Sequence, residues 1–349
     1  RFGGDEFALL LENCSLEEAR PIADALRCAV EAFDFHWTDK LFRLGASIGL
    51  VMLRPDASIA EVMRVADSAC YMAKEQGRNR VHVYEPDDAE QSRRESDLNW
   101  VARINEALSE DRFMLFGQLI RQTRPVDSSA HRHFEVLIRM RGRNGESIAP
   151  GAFLPAAERF GLATRIDRWV IRQVFDLLEQ SRHLLDEGNF LSINLSGQSL
   201  SDTDFCAHIV HQLRSRQIRG DQICFEITET AAIADMSAAQ QFMQQTTAQG
   251  CHFALDDFGT GLSSFAYLRD LPVDFVKIDG AFIKDIENDP IHLAMVRSIH
   301  DIAHVLGKQT IAEFVANENT TQRLAEIGID YVQGFGIGKP APLLQLLGG

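Results

Sequence analysis

The sequence predicts an α/β protein: a (β/α)8, TIM-like barrel preceded by part of a smaller α/β domain. Three observations carry this. After residue 110, eight short apolar runs alternate with amphipathic helical stretches, the element count of such a barrel. Along several runs the apolar residues share one strand face, while an acid or amide stands on the other face near the C-terminal end. No glycine-rich phosphate turn follows the first run, as a doubly wound dinucleotide fold would require.

Taken in order, a β-rich run over 7–11 precedes a helix opened by Ser15, with Glu17 and Glu18 in its first turn. Its apolar face reads Ile22, Leu26, Ala29, Val30 and Phe33. A strand is expected over 44–53, an amphipathic helix over 58–76 ending at Gly77, and a last strand over 80–84. These elements read as the later half of an α/β domain, so the chain is treated as a fragment of a longer protein. Residues 86–97 are polar and charge-mixed, and are expected to be a linker between domains at 1–85 and 98–349. A short helix with Leu98, Val101, Ile104 and Leu108 leads into the second domain.

The eight runs are 114–120, 134–139, 190–195, 223–227, 252–255, 275–278, 310–313 and 331–333. Leu191, Ile193 and Leu195 oppose Asn194; Phe225 and Ile227 oppose Glu226; Phe253 and Leu255 oppose Asp256. The apolar sets are expected to pack outward on the helices. The polar residues, with Glu135, Lys277, Glu313 and Gln333 at corresponding places, then converge on the C-terminal mouth. An unpaired buried charge costs several kcal/mol, so a barrel interior keeps such groups only as a site.

Composition limits what that site can serve. With 50 acidic against 35 basic residues and a formal charge of −15, binding of long nucleic acid or an anionic membrane by bulk charge is disfavoured. A small phosphate compound held by local cations or metals remains open. No stretch of about 18 apolar residues and no signal peptide appear. The six scattered cysteines, without a CxxC pair, read as reduced and mostly buried thiols of a cytosolic fragment.

Glu135, Asn194, Glu226, Asp256, Asp257 and Glu313 offer only oxygen ligands, which favours hard Mg2+ or Mn2+ over zinc. Adjacent aspartates can flank a pair of metals about 3.5–4 Å apart, as in phosphoester hydrolysis. Lys277 would hold the attacking water or neutralise charge on phosphorus. A sugar-lyase or enolase-like reaction also uses carboxylate-bound Mg2+, so ligands alone leave the substrate open.

The motifs Phe134-Glu135-Val136-Leu137-Ile138-Arg139, Asn194-Leu195-Ser196, Glu226-Ile227-Thr228-Glu229, Asp256-Asp257-Phe258-Gly259-Thr260-Gly261, Lys277-Ile278-Asp279, Ala312-Glu313 and Gln333-Gly334-Phe335 follow one another along 98–349. This segment resembles the EAL family of cyclic-di-GMP phosphodiesterases over its whole length. The resemblance implies hydrolysis of cyclic di-GMP to linear pGpG with two Mg2+ or Mn2+ ions. It implies that Glu135, Asn194, Glu226, Asp256, Asp257 and Glu313 are metal ligands. Lys277 with Glu313 would position or activate the water, and Glu229 would support catalysis by bracing the loop after Asp257. Gln118, Arg139, Asp279 and Gln333 would hold the dinucleotide, and the barrel would form a homodimer.

Residues 1–84 resemble the later half of a GGDEF (diguanylate cyclase) domain, through Gly3-Gly4-Asp5-Glu6-Phe7 and Lys74-Glu75-Gln76-Gly77-Arg78-Asn79-Arg80. By that resemblance Glu6 would bind metal, Lys74 and Arg78 would meet phosphate, and GTP would bind in the full-length protein. This portion alone is expected to make no cyclic di-GMP and to be regulatory. Full-length relatives of this kind carry sensor or membrane segments upstream. Four positions depart from the family pattern: Val136 within the EAL triplet, Leu119 for a proline, Ala316 for a second glutamate, and Phe314 for a glycine. Val136 is expected to face outward and be tolerated, Ala316 to weaken guanine binding, and Phe314 to crowd the pocket.

Overall fold

The computed structural model describes residues 7–37, 40–53, 58–75, 77, 79–84, 99–124, 132–180, 190–259 and 266–347. The chain divides into two compact units, Arg1–Asn99 and Trp100–Gly349. Residues 3–6 of the glycine hairpin, Gln76, Arg78, the expected linker at 86–97 and Thr260-Gly261 lie outside the described residues.

In the first unit, Ser15 caps the helix Leu16–Glu31 as expected, and the reciprocal bond from the Ser15 amide to Glu18 completes a capping box. The expected apolar face is not the buried one. Ala19 and Ala23 are buried, whereas Ile22 and Leu26 are 43% and 45% exposed. Residues 7–11 form no strand, and the run over 44–53 contracts to Ile48–Leu50. That strand pairs in parallel with Val81–Val83, and Asp34–Trp37 pairs antiparallel with Lys40–Arg43, two strands additional to the expected elements. Gly49 is needed where it stands, because a Cβ there would lie 2.4 Å from the backbone nitrogen of Cys70 on the helix Ile59–Glu75.

The second unit closes eight strands: β1 Phe113–Gln122, β2 His133–Arg141, β3 Phe190–Leu195, β4 Ile223–Thr228, β5 His252–Phe258, β6 Phe275–Ile278, β7 Gln309–Ala312 and β8 Tyr331–Gln333. A helix over residues 99–109 leads into them, burying Ile104 as its spacing predicts. From β2 to β8 each strand pairs in parallel with the next, and β1 closes the ring antiparallel to both β2 and β8. This departs from the all-parallel barrel of the repeating pattern. An antiparallel pair needs only a short return, whereas parallel neighbours need a crossover of a dozen or more residues. The run from Gln122 to His133 suffices only for the former.

Strand parity sorts the interior as expected. Leu191, Ile193, Phe225, Ile227, Phe253 and Leu255 are wholly buried and pack outward against helices such as Ala163–Gln180 and Met236–Thr247. Val136 joins this outer layer, as expected for a residue tolerated there. Phe242 of the latter helix meets Phe225 and Phe253 edge-on at 5.8 and 6.0 Å. The inner face carries a second cluster near the strand starts, with Ile120, Cys224, Ala254, Phe275 and Ile311. His133 stacks on Phe190 there at 3.9 Å, and its Nε2 lies 2.6 Å from Ser192 Oγ. This largely apolar floor leaves the carboxylates and Lys277 toward the opposite end.

No disulfide joins the six cysteines; three are buried, two half-buried, and Cys28 is exposed. Among the described residues no helix is long and apolar enough to cross a membrane.

Candidate active site at the barrel mouth

Lys277 on β6 is completely buried, and its Nζ stands among four carboxylates from four other segments. It lies 2.7 Å from Glu226 Oε2, 2.9 Å from Glu313 Oε1, 3.2 Å from Asp256 Oδ1 and 3.7 Å from Glu135 Oε2. Asn194 Nδ2 donates to Glu135 Oε1 at 2.7 Å, and Gln333 Nε2 donates to Glu135 Oε2 at 2.5 Å. Residues from six strands and from Glu313, just past β7, thus share one cluster of ion pairs and hydrogen bonds.

One cation cannot neutralise this set. Burial pushes Glu226 well above the usual carboxylate range, and pushes Glu313 up to about 7, against the pull of Lys277. Burial also acts on Glu135, but Lys277 and the donors Gln333 and Asn194 outweigh it and hold that carboxyl low. Burial opposes the charge on Lys277 too, yet Asp256, Glu135, Glu226 and Glu313 keep its ammonium firmly protonated. No donor among the described residues reaches the buried Glu226 Oε1. A buried carboxylate oxygen left without a donor is compatible with a bound cation.

Adjacent aspartates on a regular strand would point opposite ways. Here the pairing of β5 with β6 shifts register between Leu255 and Phe258, and Asp257 takes a left-handed φ of 56°. The extra residue lets Leu255 and Phe258 both remain in the outer core, leaving Asp256 and Asp257 together at the mouth. Oxygen atoms of Asp256, Asp257 and Glu313 lie within 4.8 Å of one another. Burial, then the charges of Asp256 and Asp279, raise the Asp257 carboxyl. Aspartate tolerates the left-handed region better than most residues, so the bulge is compatible with the ligand it presents.

The sequence profile of the EAL domain matches residues 101–340. The chain belongs to the EAL family. Residues 1–80 match the profile of the diguanylate cyclase GGDEF domain. Among curated relatives, the chain is 38% identical over 344 residues to the cyclic di-GMP phosphodiesterase PdeB of Shewanella oneidensis, covering 98% of this chain and 40% of that protein. It is 37% identical over 245 residues to the cyclic di-GMP phosphodiesterase PdeF of Escherichia coli, covering 70% of this chain and 32% of that one. The chain thus spans less than half the length of either. A solved structure described as the PaMucR phosphodiesterase in complex with c-di-GMP superposes with a TM-score of 0.66 at 28% identity, covering 71% of this chain and 99% of that one. The FimX EAL domain of Pseudomonas aeruginosa bound to c-di-GMP superposes with a TM-score of 0.65 at 30% identity, covering 70% and 97%.

The remaining motif residues take distinct places around the EAL barrel. Gln118 is buried between Gly338 O, to which its Nε2 donates at 2.9 Å, and Gln333, whose Nε2 donates to its Oε1 at 3.3 Å. Arg139 is half-buried, 5.6 Å over the Phe116 ring, and donates to Ile138 O. Asp279 stands outside the carboxylate cluster and caps the turn Gly280–Ile283, accepting from the Ala281 amide at 2.7 Å.

Two supporting residues had no signal in the motifs. Asp167, on the helix Ala163–Gln180, accepts from the Ser196 amide and from Ser196 Oγ and Ser199 Oγ at 3.0, 2.7 and 2.6 Å. It pins the turn that follows Asn194. Tyr267 donates its hydroxyl to Glu229. A second group, His300 and His304 on the helix Pro290–Val305 with Asp330 just before β8, lies away from the mouth. Its atoms are already paired: His304 Nε2 with Asp330 Oδ2 at 2.9 Å, and His300 Nδ1 with Thr310 Oγ1 at 2.9 Å. It clamps the helix Pro290–Val305 to the barrel floor.

Glu229 is buried and accepts from the Gly259 amide at 3.0 Å as well as from Tyr267, so it grips the chain two residues beyond Asp257. Glu229→Gln turns one acceptor into a donor facing a donor. It is expected to weaken Mn2+ affinity and turnover about ten-fold each, as removal of a ligand-orienting partner does. Calorimetric titration of Mn2+ and steady-state kinetics check this; unchanged values would leave the loop a passive connector.

Proposed function

We propose that the barrel hydrolyses one phosphodiester bond of cyclic di-GMP to linear pGpG, using two divalent cations, Mg2+ or Mn2+. The observation that carries the reading is the charge of the mouth. Glu135, Glu226, Asp256, Asp257 and Glu313 against the single Lys277 leave a formal −4, which two divalent cations balance. The substrate rests on the relatives named for cyclic di-GMP hydrolysis and the neighbours described as bound to it.

The five carboxylates with Asn194 would hold the ions, and the orphaned Glu226 Oε1 fits that role. The chemistry such cations supply is polarisation of a phosphoryl oxygen and a water made acidic near neutral pH. Lys277, kept charged by its carboxylates, orients that water and neutralises charge developing on phosphorus. Glu313, 2.9 Å from Lys277, would help it to position or activate that water. Arg139, Asp279, Gln118 and Gln333 line the dinucleotide's side of the mouth. The GGDEF-like portion at 1–85, beyond the linker 86–97, is read as regulatory through GTP in the full-length protein, and the barrel as homodimeric.

Incubating the purified chain with cyclic di-GMP and Mn2+, followed by nucleotide chromatography, tests this. Linear pGpG is expected, with turnover abolished by EDTA and restored by Mn2+. Binding without product would make the chain a cyclic-di-GMP receptor; neither binding nor product would overturn the reading.

A further inference from the structure

Two histidines one turn apart face a carboxylate at the floor of the barrel. His300 and His304 stand at positions i and i+4 of the helix Pro290–Val305, so both rings leave the same helix face. Their centroids lie 4.0 Å apart. Asp330, just before β8, comes to them from a different part of the chain. One nitrogen of each ring and one Asp330 oxygen all lie within 4.8 Å of one another. Ligands about 2.0–2.1 Å from a shared tetrahedral ion stand about 3–4 Å apart, so these side chains need to move little to hold one.

The surroundings fix the three groups. Asp330 Oδ2 accepts from the Thr310 amide at 2.7 Å and from Thr310 Oγ1 at 3.0 Å, which sets the carboxylate against β7. The same hydroxyl lies 2.9 Å from His300 Nδ1. Outer partners of this kind orient metal-binding side chains. On the far side of the ring, a Cβ at Gly328 would come within 2.9 Å of His300 Nε2, so glycine leaves the ring its room. The side chains of His304 and Asp330 are 45% and 20% exposed, so an ion reaches them from solvent. Burial, and then the neighbouring His304, hold His300 below the usual histidine range, and its ring meets a metal as a neutral ligand.

We propose that His300, His304 and Asp330 form a Zn2+ site, separate from the mouth, that fastens the helix Pro290–Val305 to β7 and to the segment entering β8. Two nitrogens and one oxygen suit zinc, whereas the all-oxygen mouth suits Mg2+ or Mn2+. A histidine pair on one helix face with a carboxylate from elsewhere is a ligand set that zinc takes, with water completing the tetrahedron. The ion would replace the proton between His304 Nε2 and Asp330 Oδ2, which are 2.9 Å apart, and the ring would carry its hydrogen on Nδ1. The site serves stability and does not depend on the hydrolytic reading of the mouth.

The test uses the whole chain as wild type, His304→Gln and Asp256→Asn, each stripped of metal and then kept in excess Mg2+. Glutamine retains a donor for Asp330 but offers no ring nitrogen. Zn2+ is expected to raise the wild-type melting temperature, and Co2+ to give the visible absorption of a nitrogen-bound, low-coordinate ion that Zn2+ displaces. His304→Gln should bind Zn2+ at least about ten-fold more weakly by calorimetry and lose the Co2+ absorption, while Asp256→Asn keeps both. A further measurement needs no variant to fold: Zn2+ should shield His304 of wild type from diethyl pyrocarbonate, read by peptide mass spectrometry. Unaltered Zn2+ affinity in His304→Gln, absorption lost in Asp256→Asn instead, or an unshielded His304 overturns the proposal and leaves the three residues a hydrogen-bonded brace. A wild type that does not cleave cyclic di-GMP leaves these readouts, and the zinc site, standing.

Discussion

Lys277→Met is expected to abolish turnover and to destabilise the metal-free barrel by about 3–5 kcal/mol, the usual cost of removing one partner from a buried ionic cluster. The reason is geometric. Four carboxylates lie within 3.7 Å of the Lys277 ammonium, and no other cation joins them among the described residues. Without it they repel one another and must bind protons to remain folded. The sign of the pH effect follows. Glu313, pushed up to about 7, and Glu226, pushed well above the usual carboxylate range, already bind protons more tightly folded than unfolded, so their favourable contribution fades as pH rises. Losing Lys277 raises them further. The variant's deficit is therefore smaller at pH 5 than at pH 8, and saturating Mn2+ should recover much of it. Thermal melts at both pH values, with and without MnCl2, check this. A melting temperature equal to wild type in metal-free buffer at pH 8 would refute the view of Lys277 as the charge anchor.

Asp256→Asn should have the opposite stability signature and the same loss of function. The amide retains an acceptor for the Asp257 N–H, bonded to Asp256 Oδ1 at 3.0 Å, so the bulge survives. What disappears is one negative charge from a set that carries too many. The metal-free variant should melt at or above the wild-type temperature, and its rise on adding Mn2+ should shrink. Turnover should fall at least about a thousand-fold, roughly 4 kcal/mol of transition-state stabilisation, because Asp256 is one of the carboxylates proposed to hold the cations. Circular dichroism with melting curves and a cyclic-di-GMP assay measure the three quantities. Near wild-type turnover would remove Asp256 from the metal site, and a large drop in metal-free stability would contradict the charge surplus.

These two substitutions separate a residue that the cluster needs to fold from one that it needs only to react. Motif position does not make that distinction. Lys277 and Asp256 both end strands and both face inward, and only the four distances around Nζ set them apart.

Where the chain is regular, the residues themselves decided the outcome. Alternation in Leu191-Ser192-Ile193-Asn194 and in Phe225-Glu226-Ile227 assigns each side chain to core or mouth, because a strand allows only two directions and water penalises the wrong one. The eight runs and the convergence of their acids follow from the same rule, as does Ser15 capping its helix, a contact made within one turn. Tertiary structure decided whatever depends on partners distant in sequence. β1 runs against its neighbours because the sheet must close. Asp257 joins Asp256 because a register shift against β6 breaks the alternation that would have sent it outward. Asp167 and Tyr267 act on the site through loops that no local pattern connects to them. Residues 7–11 have strand composition but gain no strand partner among the described residues, and Ile22 and Leu26 keep helical spacing without a buried face. Periodicity reports what a segment can bury; only the fold determines what comes to cover it, and where the charges it gathers find their counter-ions.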